Sequence, residues 1–259
     1  MMKEGTKAPV TGAPRESSAR SRQMVDAARV QTAGTVEARL IARVFNRCQG
    51  FIRAACAASS VTEEFLGALV ANESGGNPKA ARFEPAVYYH LKAVAAETSP
   101  HFGGITPATL NAEVADLLHP KADAFHARYL TGAFGANHQE ELATLEDEAL
   151  RELATSWGFT QIMGYHMVAR PGTVRELLDP ERHFRIAIEL LTELVEEYQL
   201  DPRREFAEMF RCWNTGRPYG ETYDPHYVEH GLERMELYRQ KAAGASPKMQ
   251  EPQEAMGQA

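Results

Sequence analysis

Residues 60–78, Ser60-Val-Thr-Glu-Glu-Phe-Leu-Gly-Ala-Leu-Val-Ala-Asn-Glu-Ser-Gly-Gly-Asn-Pro78, set the reading of the whole chain. Ser60 with Glu63 three residues later has the spacing of a capping box and predicts a helix start. Phe65, Leu66, Leu69 and Val70 then form one apolar stripe at helical spacing. Glu73 falls on that stripe, and Gly75, Gly76, Asn77 and Pro78 stop the helix just beyond it. A carboxyl group held against apolar walls has a raised pKa and can keep its proton near neutral pH, which is what a general acid needs. The alternative is a half-exposed glutamate at a fraying helix end, with no chemistry attached.

Outward from this stretch, nearly everything reads as helix. Val36, Leu40, Ile41, Val44, Phe45 and Ile52 are spaced helically within 25–58, with a break predicted near Gly50. Three later helices share one start signal: Asp179-Pro180, Asp201-Pro202 and Asp224-Pro225. Aspartate caps free N–H groups and proline suits the first helical position. The apolar stripes that follow (Phe184, Ile188, Leu191; Met209, Phe210, Trp213; Val228, Met235, Tyr238) read as core packing. There is no Asn-Gly or Asp-Gly hairpin signal and little β-branched alternation, so the expected class is all-α. Residues 1–23 and 243–259 are rich in Ser, Gly, Pro and charge and read as disordered, leaving one folded domain over 24–242.

Bulk properties narrow the function. A net charge of −7 argues against nucleic acid as the main partner. No apolar run reaches the length of a membrane span. The first 23 residues lack the apolar core of a secretory signal, so export would need another route or a signal outside this chain. Three cysteines, Cys48, Cys56 and Cys212, with no C-x-x-C, argue against a disulfide framework and read as small buried apolar residues.

Two more stretches combine glycine with polar and aromatic groups, as pocket walls do: Ser156-Trp-Gly-Phe-Thr-Gln-Ile-Met-Gly164 and Trp213-Asn-Thr-Gly-Arg-Pro-Tyr-Gly220. Amides and aromatic faces suit a sugar, although either stretch alone is as readily a simple turn. Taken in order, ESGGNPKA, SWGFTQIMG, DPERHFRIAIELLTELVEEY, WNTG and PHYVEH resemble the lysozyme-like superfamily of peptidoglycan-cleaving enzymes. The pattern is similar to that of lytic transglycosylases. It is closer still to the N-acetylmuramidases of phage endolysins, which carry a Phe-Glu segment (here Phe83-Glu84) before a Ser-Trp-Gly-x-x-Gln-Ile-Met-Gly turn. The resemblance covers residues 61–239. Phe159-Thr160 replaces the more usual Leu-Met, and Trp213 replaces a common Tyr.

The resemblance implies a two-lobed helical domain with a glycan groove. Its ligand would be the glycan strands of peptidoglycan, and it would act as a monomer at the cell wall, in the periplasm or outside the cell, without cofactor or metal. Glu73 matches the catalytic acid. Ser156, Gln161, Met163, Trp213 and Asn214 match positions lining the sugar groove, and Tyr227 matches a tyrosine near the acid. A hydrolase needs a second carboxylate, whereas a lytic transglycosylase works with one, because the sugar's own 6-hydroxyl attacks. Glu84 is the candidate second carboxylate, or else a helix-start charge before Pro85.

Two other classes compete. His226-Tyr-Val-Glu-His230 is literally H-x-x-E-H, a zinc-protease signature. Few residues follow it to supply a third ligand, and Tyr227 is already accounted for without metal. A lysozyme-like domain that binds glycan or a partner without cutting is the other; the net acidity favours it mildly, since cell walls are anionic.

Overall fold

The computed structural model describes residues 16–114 and 139–245. It is 65% helix with few strands, in line with the all-α expectation. The chain divides into two compact units, residues 1–40 and 41–259. The first is described as helix from Glu16 onward; the second carries every other element.

Helix α1 (Glu16–Cys56) departs from expectation twice. It begins inside the segment read as disordered, and it passes Gly50 without a break. Gly50 is exposed, and a Cβ there would meet nothing within 4 Å, so it costs the helix only backbone entropy. Residues 1–15 and 246–259, most of the two segments read as disordered, lie outside the described residues. The last helix runs to Ala245, just inside the tail assignment.

Helix α2 (Glu63–Glu73) starts by a different cap from the one predicted. Thr62, not Ser60, is the N-cap, its Oγ1 accepting the Phe65 N–H at 3.4 Å. The Ser59 hydroxyl takes the Val61 N–H at 3.2 Å, leaving Thr62 at the entry. Every residue from Phe65 to Ala71 is buried, so α2 is enclosed on all sides rather than amphipathic. Phe65 packs at a tilt against Phe210 at 4.6 Å and stacks on Phe206 at 6.1 Å. On another side Tyr238 lies over Gly67 so closely that a Cβ there would sit 2.3 Å from its ring, and Tyr238 meets Phe45 of α1 edge-on at 5.2 Å.

Between α2 and the later helices the chain makes a small antiparallel sheet that the sequence did not announce. Its strands are β1 (Ala81–Phe83), β2 (Thr155–Trp157) and β3 (Ile162–Met163), in that order, with Arg82 opposite Ser156 and Ser156 opposite Met163. Strands of two or three residues are too short to show alternation. Helices α3 (Pro85–Ala95) and α4 (Gln139–Leu153) lie between β1 and β2 in sequence, and residues 107–114 are also helical.

Of the three Asp-Pro starts, one opens its helix directly. Asp179 caps α5 (Pro180–Tyr198), its carboxylate accepting the Arg182 N–H at 2.9 Å. The other two close a turn first. Asp201 takes the N–H groups of Arg203, Arg204 and Glu205, and α6 (Phe206–Thr215) begins at Phe206. Asp224 takes those of His226 and Tyr227, and α7 (Tyr227–Ala245) begins at Tyr227. All three thiols are free; Cys48 and Cys212 are buried. No described helix is long and apolar enough to cross a membrane.

Thr62→Ala should lower unfolding free energy by about 1 kcal/mol in urea titrations, the usual worth of an N-cap. Ser60→Ala should change it by less than about 0.5 kcal/mol, as at an uninvolved surface site.

Candidate functional site

The last residue of α2 meets the first of α7. The Tyr227 hydroxyl donates to Glu73 Oε1, and the Asn72 amide donates to the Tyr227 carbonyl at 3.0 Å. Arg234, about two turns into α7, donates to Asn72 Oδ1 at 2.7 Å. Two helix ends are thereby clamped by side chains two residues wide. Tyr227 is only 8% exposed, with its ring edge-on to Phe210. Burial, then the neighbouring Glu73, pushes its pKa well above the usual phenol range, so it stays a donor. Glu73 keeps some solvent exposure as a residue, but its carboxyl group is closely surrounded by protein. Burial raises its pKa from 4.5 to about 7, against the opposing pull of the Tyr227 hydrogen bond and the Arg82 charge.

The turn between β2 and β3 is built as a rigid piece. Gly158 has φ +73° and donates its N–H to the Ala80 carbonyl at 2.8 Å. A Cβ there would lie 2.6 Å from His183 Nδ1. His183, fully buried on α5, accepts the Thr160 N–H at Nε2 (2.9 Å) and sits 2.9 Å from its hydroxyl. Its Nδ1 therefore carries the proton and donates to the Leu177 carbonyl at 2.9 Å. Burial holds this imidazole near pKa 4, so it is neutral. The two central carbonyls of the turn then join the site together. Ser74, next to Glu73, donates to the Phe159 carbonyl at 2.6 Å, and the Trp213 indole donates to the Thr160 carbonyl at 3.0 Å.

The residues singled out from the sequence fall into three groups. Glu73 and Tyr227 are in direct contact. Gln161, Met163, Trp213 and Asn214 line a cavity of about 430 Å³, together with Glu193 and Glu197 of α5. Ser156 does not line it. At 2% exposure, it donates to Gln161 Oε1 at 2.9 Å, while Gln161 Nε2 donates to the Gly158 carbonyl at 2.9 Å. Ser156 is thus a support, and both ends of the Gln161 amide are engaged within its own turn, where it has φ +55°. Glu84 does not line the cavity; its carboxylate pairs with Arg82 at 2.6 Å at the start of α3. Arg82 is the link, since its charge also acts on Glu73.

From the sequence, Thr160 stood out only within the departure from the usual Leu-Met, and Arg82, His183 and the two cavity glutamates were given no role; His183 is a satisfied core histidine. In the H-x-x-E-H segment, His226 pairs with Glu229 at 3.0 Å on the exposed start of α7. Among the described residues no three His, Cys, Asp or Glu side chains gather as a metal site would require. Compared with protein-family models, curated proteins and solved structures, the chain finds no match.

A carboxyl pKa raised on folding means the folded state holds the proton more tightly than the unfolded chain. Stability is then fullest below 4.5 and declines as pH rises through about 7. Relative to Glu73→Gln, which carries no titrating proton, the wild type should lose roughly 3 kcal/mol across that window. Urea unfolding at a series of pH values measures it; parallel curves would mean an unperturbed carboxyl.

Proposed function

We propose that the chain is a lysozyme-like domain that cuts the glycan strands of peptidoglycan at the bond between N-acetylmuramic acid and N-acetylglucosamine. The observation that carries this reading is Glu73: an enclosed carboxyl with a pKa near 7, hydrogen-bonded to Tyr227 and tied through Ser74 to the turn whose Gln161 lines a sugar-sized cavity, a cavity that Glu73 itself does not line. A cavity of about 430 Å³ falls within the usual range for small-ligand clefts, about 300–1,000 Å³.

Protonated Glu73 gives its proton to the linking oxygen as the bond from that oxygen to the muramyl C1 breaks. Two fates of the resulting cation differ in what they ask of the protein. Hydrolysis asks for a second carboxylate to activate water. Glu84 is ion-paired with Arg82 and does not line the cavity, so the route taken here is the one that does without a second carboxylate. Glu73, now a carboxylate, takes the proton of the muramyl 6-hydroxyl as that oxygen bonds to C1. The product is a 1,6-anhydro end, no water is consumed, and Glu73 regains its proton. Tyr227 stabilises the carboxylate between the two transfers, because its hydrogen bond favours the charged form. The place of action would be the cell wall, and the ligand its glycan.

Clearing of purified peptidoglycan tests the reading. Wild type should clear, and Glu73→Gln should be slower by about 100-fold or more, the usual worth of a general acid. Activity should fall as pH rises past about 7, where Glu73 loses its proton. Glu84→Gln should stay within about tenfold, and mass spectrometry should find anhydro ends. Equal clearing by wild type and Glu73→Gln, or none by either, overturns catalysis; reducing ends would move the assignment to a hydrolase.

A further inference from the structure

The cavity beside the glutamine turn carries a charge that bond cleavage by Glu73 does not use. Helix α5 presents Leu190, Glu193, Leu194 and Glu197 to it, a single face at i, i+3, i+4 and i+7. Trp213 and Asn214 face it from the end of α6. Glu193 is held by Arg170, which does not itself line the cavity. Glu197 has no Lys, Arg or His partner in the ion pairs of the described residues; the Tyr198 side chain lies within hydrogen-bonding reach of it, and its charge also acts on Cys212. His166, the one lining residue able to become cationic, is kept neutral by burial, with its pKa near 4. The lining therefore offers an indole, amides, leucines and two carboxylates, with no positive charge. That combination selects against carboxylate-bearing sugars and for a sugar that carries a cation. The net charge of −7 over the chain biases encounter the same way.

We infer that this cavity takes a 2-amino sugar with a free ammonium group, as in a partly de-N-acetylated glycan strand, the ammonium meeting Glu197 and the sugar face resting on Trp213. The inference rests on the glycan reading of the same site and names the sugar that it prefers. Neutral N-acetylglucosamine would find only the indole and the amides. The ammonium adds a charge-assisted hydrogen bond to a carboxylate with no other cation to satisfy it.

The test uses the full-length chain carrying Glu73→Gln, so that cleavage plays no part. Calorimetry at about pH 6, where such an amine is charged, compares a tetramer of glucosamine with a tetramer of N-acetylglucosamine. The glucosamine tetramer should bind about two- to fivefold more tightly, the range for a partly exposed ion pair. The advantage should vanish with Glu197→Gln and shrink in high salt. Glu197 is exposed on α5, so its substitution leaves the fold intact, which circular dichroism checks. Equal affinities, tighter binding of the acetylated tetramer, no binding of either, or an advantage that survives Glu197→Gln would each overturn the inference. Peptidoglycan clearing by wild type separates the two ideas. Clearing without amino-sugar preference removes this inference alone, and preference without clearing removes the cleavage reading alone.

Discussion

The hydrogen bond from the Tyr227 hydroxyl to the Glu73 carboxyl is the interaction on which the rest depends. Helix α2 is buried along nearly its whole length, so its C-terminal end cannot simply fray into water. A carboxyl group at that end must either be protonated or find donors, because burying a bare charge is costly. Tyr227 supplies one donor from the first residue of α7, and Asn72, itself engaged by Arg234, holds that residue by its carbonyl. Opposed tendencies result: burial raises the proton affinity of Glu73, and the tyrosine restrains it. A group balanced in this way both gives and takes a proton near neutrality.

The turn at 158–161 is the second fixed point. Its parts are spoken for from several elements: Gly158 by β1's approach and His183, Thr160 by His183 and Trp213, Phe159 by Ser74, Gln161 by Ser156. None of these contacts is strong by itself. Together they set where the acid, the cavity wall and the indole stand relative to one another, since each is bonded to a different atom of one rigid turn. The pre-organisation sits in backbone carbonyls, which substitutions at the surface leave in place.

How far the sequence could be read follows the length of the signal. Glu73 was legible because ten helical residues lead up to it and four breakers follow soon after. Tyr227, Gln161 and Trp213 were legible only as members of an ordered set of motifs, since nothing local marks any of them. The cap at Thr62 was misplaced at Ser60 because Ser59, Ser60 and Thr62 all have capping chemistry, and the choice falls to which hydroxyl the bend engages. The strands escaped notice because three residues cannot show a period of two. Ser156 was placed on the groove although it lies beneath it; strand register, fixed by Arg82 across the sheet, decides which way it faces. Nothing local marked Glu193 and Glu197; only the packing of α6 beside α5 brings them to a cavity wall.

The three cysteines carry one last consequence. All are unpaired, and burial pushes the Cys48 and Cys56 thiols up to about 12 and Cys212 to about 11. Hardly any thiolate exists at neutral pH, and thiolate is the species that attacks an oxidant or another disulfide. The architecture thus gains nothing from oxidation and loses nothing under reduction. The same folded chain is compatible with a reducing interior or an oxidising exterior, with no covalent rearrangement needed on passing from one to the other.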